Sequence, residues 1–167
     1  MRHQPLAFDP IAEAERHWRD HGWEDAAPGM AAVTSIMRAQ QILLGRVDDV
    51  LRAFDLTFAR YELLRLLAFS RRGTLPLGKI SQRLQVHAAS VTNAVDRLEA
   101  QGLVTRTPNP SDGRGLLATI TPPGVEVVDQ ATEKLNMEVF GALGLSDRDL
   151  QQLFRLLCKL RQSAGDF

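Results

Sequence analysis

The sequence predicts a mainly α fold with one small β-hairpin, framed by long amphipathic helices at both ends. Three observations carry that prediction. Apolar residues recur with a 3.6-residue period over residues 30–54, 125–139 and 150–160. Two short helical stretches in the middle of the chain are separated only by Gln85-Val86-His87. Two β-rich runs, Leu103-Val104-Thr105-Arg106-Thr107 and Leu116-Leu117-Ala118-Thr119-Ile120-Thr121, then flank the turn-forming stretch NPSDGRG.

Each element follows from local signals. Asp9-Pro10 reads as a helix cap followed by an N1 proline, opening a helix to about His21 in which Ile11, Ala14, Glu15 and Trp18 share a stripe. Gly22 and Pro28-Gly29 break the chain on either side of Trp23-Glu24-Asp25. A long helix runs from Met30 to about Phe54, with Val33, Ile36, Met37, Leu43, Leu44, Val47, Val50 and Leu51 on its apolar face. Thr57 caps the next helix, whose inward residues are Phe58, Tyr61, Leu64, Leu67 and Ala68, and Gly73 closes it. Leu75-Pro76 is too short to be more than a bridge. Leu77, Ile80 and Leu84 mark a two-turn helix, and Val91, Val95 and Leu98 mark a second that ends at Gly102. After the β-runs, Thr121-Pro122 caps a helix carrying Val125, Val128, Leu135 and Val139. Ser146-Asp147-Arg148-Asp149 has capping-box spacing ahead of a last helix with Leu150, Leu153, Phe154, Leu157 and Leu160.

With 167 residues, 44% of them hydrophobic and 24% charged, the composition fits one globular domain with helical appendages. No apolar run reaches the roughly 18 residues that span a bilayer, and the N-terminus lacks a signal-like apolar segment, so a cytoplasmic protein without membrane association is expected. Cys158 is the single cysteine, which excludes an internal disulfide framework. Twenty basic and twenty acidic side chains cancel, yet they are unevenly spread. Residues 63–114 hold eight Lys/Arg against three acids, whereas residues 1–62 hold seven against ten and residues 115–167 five against seven. A basic centre between acidic flanks is what a chain needs when only its centre meets a polyanion.

Two short helices joined by a three-residue turn fit helix-turn-helix geometry, and a hairpin directly after them makes a winged helix. Packing Val91, Val95 and Leu98 inward turns Ala89, Thr92, Asn93 and Asp96 outward, with Ser90 and Arg97 on the flanks. That face is small and polar, as a helix entering a major groove must be. Lys79, Ser81, Arg83 and His87 are placed for phosphates, which set register without reading sequence. At the hairpin tip, Arg114 sits between Gly113 and Gly115, with Asp112 able to fix the turn. A slim loop carrying one arginine suits a narrow, electronegative minor groove. The plainer reading of each feature is a solvated helix face and a fastened turn.

The stretch VTNAVDRLEAQGLVTRTPNPSDGRGLLATITPPG resembles the signature of MarR-type winged-helix regulators: a Val- and Thr-containing recognition helix, DRLE, GLV followed by Arg, an Asp-x-Arg wing tip, and a strand running into Ile120-Thr121-Pro122-Pro123-Gly124. The resemblance implies a homodimer built by intertwined terminal helices and bound to a pseudo-palindromic double-stranded DNA operator. It makes Asp112 and Arg114 the wing pair, and Ser90, Thr92, Asn93 and Arg97 the major-groove face. Gly113 stands where a second arginine is common. It also divides the chain into an N-terminal extension helix (1–29), dimerisation helices (30–56 and 122–167) and a winged helix-turn-helix domain (57–121). The apolar stripes independently exceed what one small core covers, which favours a dimer over a monomer.

The N-terminal extension resembles the urate-responsive branch, which implies that Trp18, Glu62 and Arg106 contact an effector. The arginine that branch carries on the recognition helix falls at Ala94, which leaves a different anionic or aromatic small molecule as the expected ligand. His17 and His21 stand one helical turn apart but lack a third convincing ligand, so no metal or other cofactor is expected. Cys158 reads as a packed or interfacial thiol rather than a redox switch. No catalytic motif is present, so the chain is expected to be a ligand-responsive transcription regulator, a repressor rather than an enzyme. The alternative is a winged-helix module that binds protein without DNA.

Overall fold

The computed structural model describes residues 6–112 and 115–167. Its elements are α1 (Pro10–Asp20), α2 (Ala27–Leu51), α3 (Phe58–Ala68), β1 (Thr74–Pro76), α4 (Leu77–Leu84), α5 (Ala88–Ala100), β2 (Val104–Pro108), β3 (Leu116–Ile120), α6 (Pro122–Leu135) and α7 (Asp147–Ser163). A short 3₁₀ turn, Arg52–Phe54, follows α2, and a π-turn, Asn136–Phe140, extends α6.

The caps read from sequence are formed. Asp9 Oδ1 accepts the Ile11 N–H at 2.9 Å, Thr57 Oγ1 the Arg60 N–H at 3.4 Å, Thr121 Oγ1 the Gly124 N–H at 3.1 Å and Ser146 Oγ the Asp149 N–H at 3.3 Å. Three boundaries differ from expectation. α3 ends at Ala68 with Phe69 as its cap, and hydrogen-bonded turns from Leu67 to Ser70 and from Ser70 to Gly73 separate it from the glycine expected to close it. Pro28-Gly29 lies inside the first turn of α2 rather than before it. A first-turn N–H has no intrahelical partner, so the proline there sacrifices no hydrogen bond. Leu75-Pro76, expected to bridge, belongs to an edge strand. β1 pairs antiparallel with β3 through Thr74↔Thr119, Leu75↔Ala118 and Pro76↔Leu117, giving a three-stranded sheet of order β1-β3-β2.

One core joins the helices to the sheet. Leu51, Leu63, Leu64, Leu67, Ile80, Val91, Val95, Leu98, Val104, Val128 and Leu135 are fully buried, and burial of each contributes about 1.5–3 kcal/mol. An Arg65 network braces α3 against α6. Its guanidinium donates to the Val128 carbonyl at 2.7 Å, to Thr132 Oγ1 at 2.6 Å and to Asp129 at 2.8 Å. Tyr61 shares the Thr132 hydroxyl at 3.0 Å.

The terminal helices behave differently. Neither α1 nor α7 buries a residue, and α2 leaves Val33, Ile36, Met37, Ile42, Leu43 and Leu44 exposed along its length. Among the described residues, no helix is long and apolar enough to cross a membrane.

Candidate nucleic-acid interface

The centre of the chain presents α4, a turn, α5 and the β2–β3 hairpin in succession. In the turn, Gln85 adopts φ +54°, while Val86 donates its N–H to the Ser81 carbonyl at 3.2 Å. Ser81 Oγ donates back to the Val86 carbonyl at 2.6 Å. A phosphate oxygen only accepts hydrogen bonds, so the Ser81 hydroxyl, with its proton committed to Val86, works as a fastener of the turn.

α5 is anchored by Val91, Val95 and Leu98, each buried to within 1%. That spacing leaves Ala89, Ser90, Thr92, Asn93, Asp96 and Arg97 exposed, as the sequence predicts. His87 stands exposed at the N-cap, and its side chain makes no capping bond. The Thr92 hydroxyl donates to the Ala88 carbonyl at 3.1 Å, which leaves its oxygen able to accept a further hydrogen bond. Lys79 and Thr92 line a cleft of about 590 Å³ that the hairpin closes with Asn109, Asp112 and Gly115. Arg97 lines a separate cleft with Asp55, Thr57 and Arg60. Of the sequence-predicted residues, Lys79, Thr92 and Asp112 line the first cleft and Arg97 the second, whereas Ser81, His87, Ala89, Ser90 and Asn93 line neither.

Among the described residues, Asn109, which the sequence reading did not name as a site residue, helps to fasten the hairpin tip. Asn109 Oδ1 accepts the Ser111 N–H at 3.0 Å, an Asx-turn. The Asn109 carbonyl accepts from Asp112 N–H at 3.1 Å, and the Asn109 N–H donates to the Gly115 carbonyl at 2.9 Å. A Cβ built on Gly115 would stand 2.8 Å from Asp112 Oδ2, so the absence of a side chain there makes room for the Asp112 carboxylate. Gly113 and Arg114 lie outside the described residues. The Asn-Pro pair that opens the turn was the signal available for Asn109. Gln82, a second cleft residue, carried no signal beyond its position on α4.

Charge near the interface is managed by Arg106 on β2. It forms ion pairs with Asp96 and, at 2.5 Å, with Glu99, both on α5. Hydrogen bonding from Arg106 holds the Glu99 carboxyl below its usual range. The single guanidinium offsets one of these two negative charges on α5, so the cluster keeps a net charge of −1.

The three residues proposed for a small molecule are not brought together within one chain. Arg106 is engaged with Asp96 and Glu99. Trp18 packs edge-on against Trp23 with ring centroids 5.2 Å apart. Glu62 is half-buried on α3, and burial raises its pKa. No group of three or more His, Cys, Asp or Glu side chains among the described residues is arranged to hold a metal ion.

Comparison with known proteins places this architecture. The family model described as MarR family matches residues 56–116, which run from just before α3 to the start of β3. A MarR family transcriptional regulator from Streptomyces coelicolor, known from a near-atomic-resolution crystal structure, is 55% identical with a TM-score of 0.77. The match covers 84% of this chain and 97% of that one. A second MarR family regulator from the same organism, crystallised in complex with DNA, is 26% identical with a TM-score of 0.71, over 79% of this chain and 85% of that one. CouR from Rhodococcus jostii, in a structure bound to p-coumaroyl-CoA, is 25% identical with a TM-score of 0.65, over 75% and 87% of the two chains. With 55% identity to the first of these over nearly its whole length, the chain belongs to the MarR family of transcriptional regulators.

Proposed function

We propose that this regulator works in the cytoplasm as a homodimeric repressor that reads a pseudo-palindromic operator and lets go when a small anionic or aromatic molecule binds. The observation that carries the DNA reading is the exposed, small, polar face of α5 beside a turn-fastened hairpin, with Arg106 pairing its two acids and offsetting one of their charges. Ser90, Thr92 and Asn93 meet base edges in the major groove. Lys79, His87 and Arg97 meet phosphates, and the wing carries Arg114 into the adjacent minor groove, with Asp112 shaping its approach. Ala89 provides the close approach that a larger side chain would block. The DNA-bound relative supports this use of the fold.

Two such faces read one operator when the dimer places them about 34 Å apart, one helical turn of DNA. The exposed stripes of α2 and α7 support pairing with a second copy. A molecule that binds one tilt of the recognition helices better than another shifts the population away from the operator-competent spacing. CouR with its acyl-CoA supports a small-molecule trigger. For that role Glu62 and Trp18 are the available side chains; with its guanidinium held by Glu99 and Asp96, Arg106 acts through α5.

The test is binding of the full chain to the DNA upstream of its own gene across a salt series. Six or more phosphate contacts predict a loss of about 10³-fold or more between roughly 50 and 200 mM salt. Arg114→Ala is expected to lower operator affinity at least tenfold, within the range of about 1–3 kcal/mol for a specific DNA contact, with dimer mass and melting unchanged. Absence of binding at low salt would overturn the reading.

A further inference from the structure

The end of the described chain touches the helix-turn-helix at its turn. Gln85 Nε2 donates to the Asp166 backbone carbonyl at 2.8 Å, across 81 positions of sequence. Both ends of this bond are held. On one side, Gln85 lies between the two Ser81–Val86 hydrogen bonds and adopts a left-handed conformation that glycine would take more easily. On the other side, Gly165 at φ +73° turns the chain back after α7. The Asp166 N–H then donates to the Arg161 carbonyl at 3.1 Å, and its carboxylate accepts from Arg161 Nε at 2.6 Å. The Phe167 ring lies 5.0 Å from the same guanidinium. Two internally fastened turns thus meet at one hydrogen bond.

We propose that the α7 tail is a strut on the helix-turn-helix, and that Gln85 is a positioning residue setting the tilt of α5 relative to α7. The proposal rests on the DNA-binding, dimeric reading above. If α7 packs on a second copy, tilt relative to α7 is tilt relative to the dimer axis, and hence the spacing of the two recognition helices. Removing the bond lets each lobe sample more tilts, fewer of which match an operator. Binding to unrelated DNA needs only phosphate contacts and tolerates that freedom.

The experiment uses the full chain, with Gln85→Met, Gly165→Val and their double variant. Gln85→Met keeps side-chain length and removes the donor. A branched residue cannot follow the positive φ at Gly165 without strain, so Gly165→Val displaces the acceptor. Affinity is measured for the upstream DNA and for an unrelated duplex of equal length, alongside thermal melts. Each single variant is expected to lose about three- to tenfold in operator affinity, the span of one net hydrogen bond, with the unrelated duplex unaffected. The double variant is expected to be no worse than the worse single, because both remove the same bond. Should Gly165→Val melt early, Arg161→Ala, which frees Asp166 from its clamp, is the second tail variant. Wild-type operator affinity in Gln85→Met would overturn the strut, as would additive losses. Equal loss on both duplexes would make Gln85 a direct phosphate contact instead. If the unmodified chain binds no DNA, the underlying reading fails first, and that control separates the two failures.

Discussion

Gly124 shows how much a single residue decides where wing and helix meet. A Cβ placed there would come within 2.2 Å of the Leu103 carbonyl oxygen and 2.8 Å of Ile120 Cγ1. The start of α6 therefore lies directly on the backbone that opens β2. Thr121 locks the same corner: its N–H donates to the Leu103 carbonyl at 3.0 Å and its hydroxyl to the Gly102 carbonyl at 2.8 Å. Gly124→Ala must push helix and strand apart, with an expected cost of about 1–3 kcal/mol or more, as for other overpacked sites. Chemical denaturation should show it as a lower midpoint with unchanged slope. Gly78→Ala, with no atom within 4 Å of its Cβ, is the control that should melt normally. A normal midpoint for Gly124→Ala would mean that the corner is looser than drawn.

At the scale of elements, α3 carries a conflict that the sequence alone does not show. Its core stripe and its Thr57 cap were readable from 3.6-residue spacing and a capping residue, because those signals are local, whereas its end was not: the helix stops at Ala68, short of Gly73. Nor were the positions of its charges. Arg65 was counted within the basic centre, yet its side chain is only 16% exposed and braces α6, a partnership with residues more than 60 positions away. Glu62, one turn before it, loses hydration without any hydrogen bond or ion pair to another described residue, and its pKa rises. A raised carboxyl pKa means the fold binds this proton more tightly than the unfolded chain does. The associated stability is present below the ordinary glutamate value of about 4.3 and is lost as pH rises through the folded value. Glu62→Gln is therefore expected to raise the melting temperature at pH 7 and to leave it nearly unchanged at pH 4. An equal gain at both pH values would point to packing rather than charge. The interface followed the same division. The outward face of α5 was legible from periodicity, whereas the Asn109 turn, the Ser81–Val86 fastening and the pairing of Arg106 with α5 arise from contacts made only after folding.

For the whole molecule, the question is what covers the terminal helices. α7 is 17 residues long and buries none of them, and Phe154 on it is 66% exposed. Met37 on α2 is 61% exposed within a stripe that includes Val33 and Ile36. Most helix stability in proteins comes from packing an amphipathic face, and contiguous exposed apolar faces mark interaction surfaces. In the proposed dimer a second copy would supply the cover and, by two-fold symmetry, the second recognition helix that a palindromic site requires. Sedimentation equilibrium is accordingly expected to return twice the 18.5 kDa chain mass, with a melting temperature that rises with protein concentration. Combining Met37→Glu with Phe154→Glu places charges on both stripes. It should give monomers with reduced far-UV helicity and abolish operator binding, while a core-distant change such as Arg16→Ala alters none of these. A wild-type chain that stays at 18.5 kDa and melts independently of concentration would show instead that the helices close over their own domain. Operator recognition would then have to come from a single half-site.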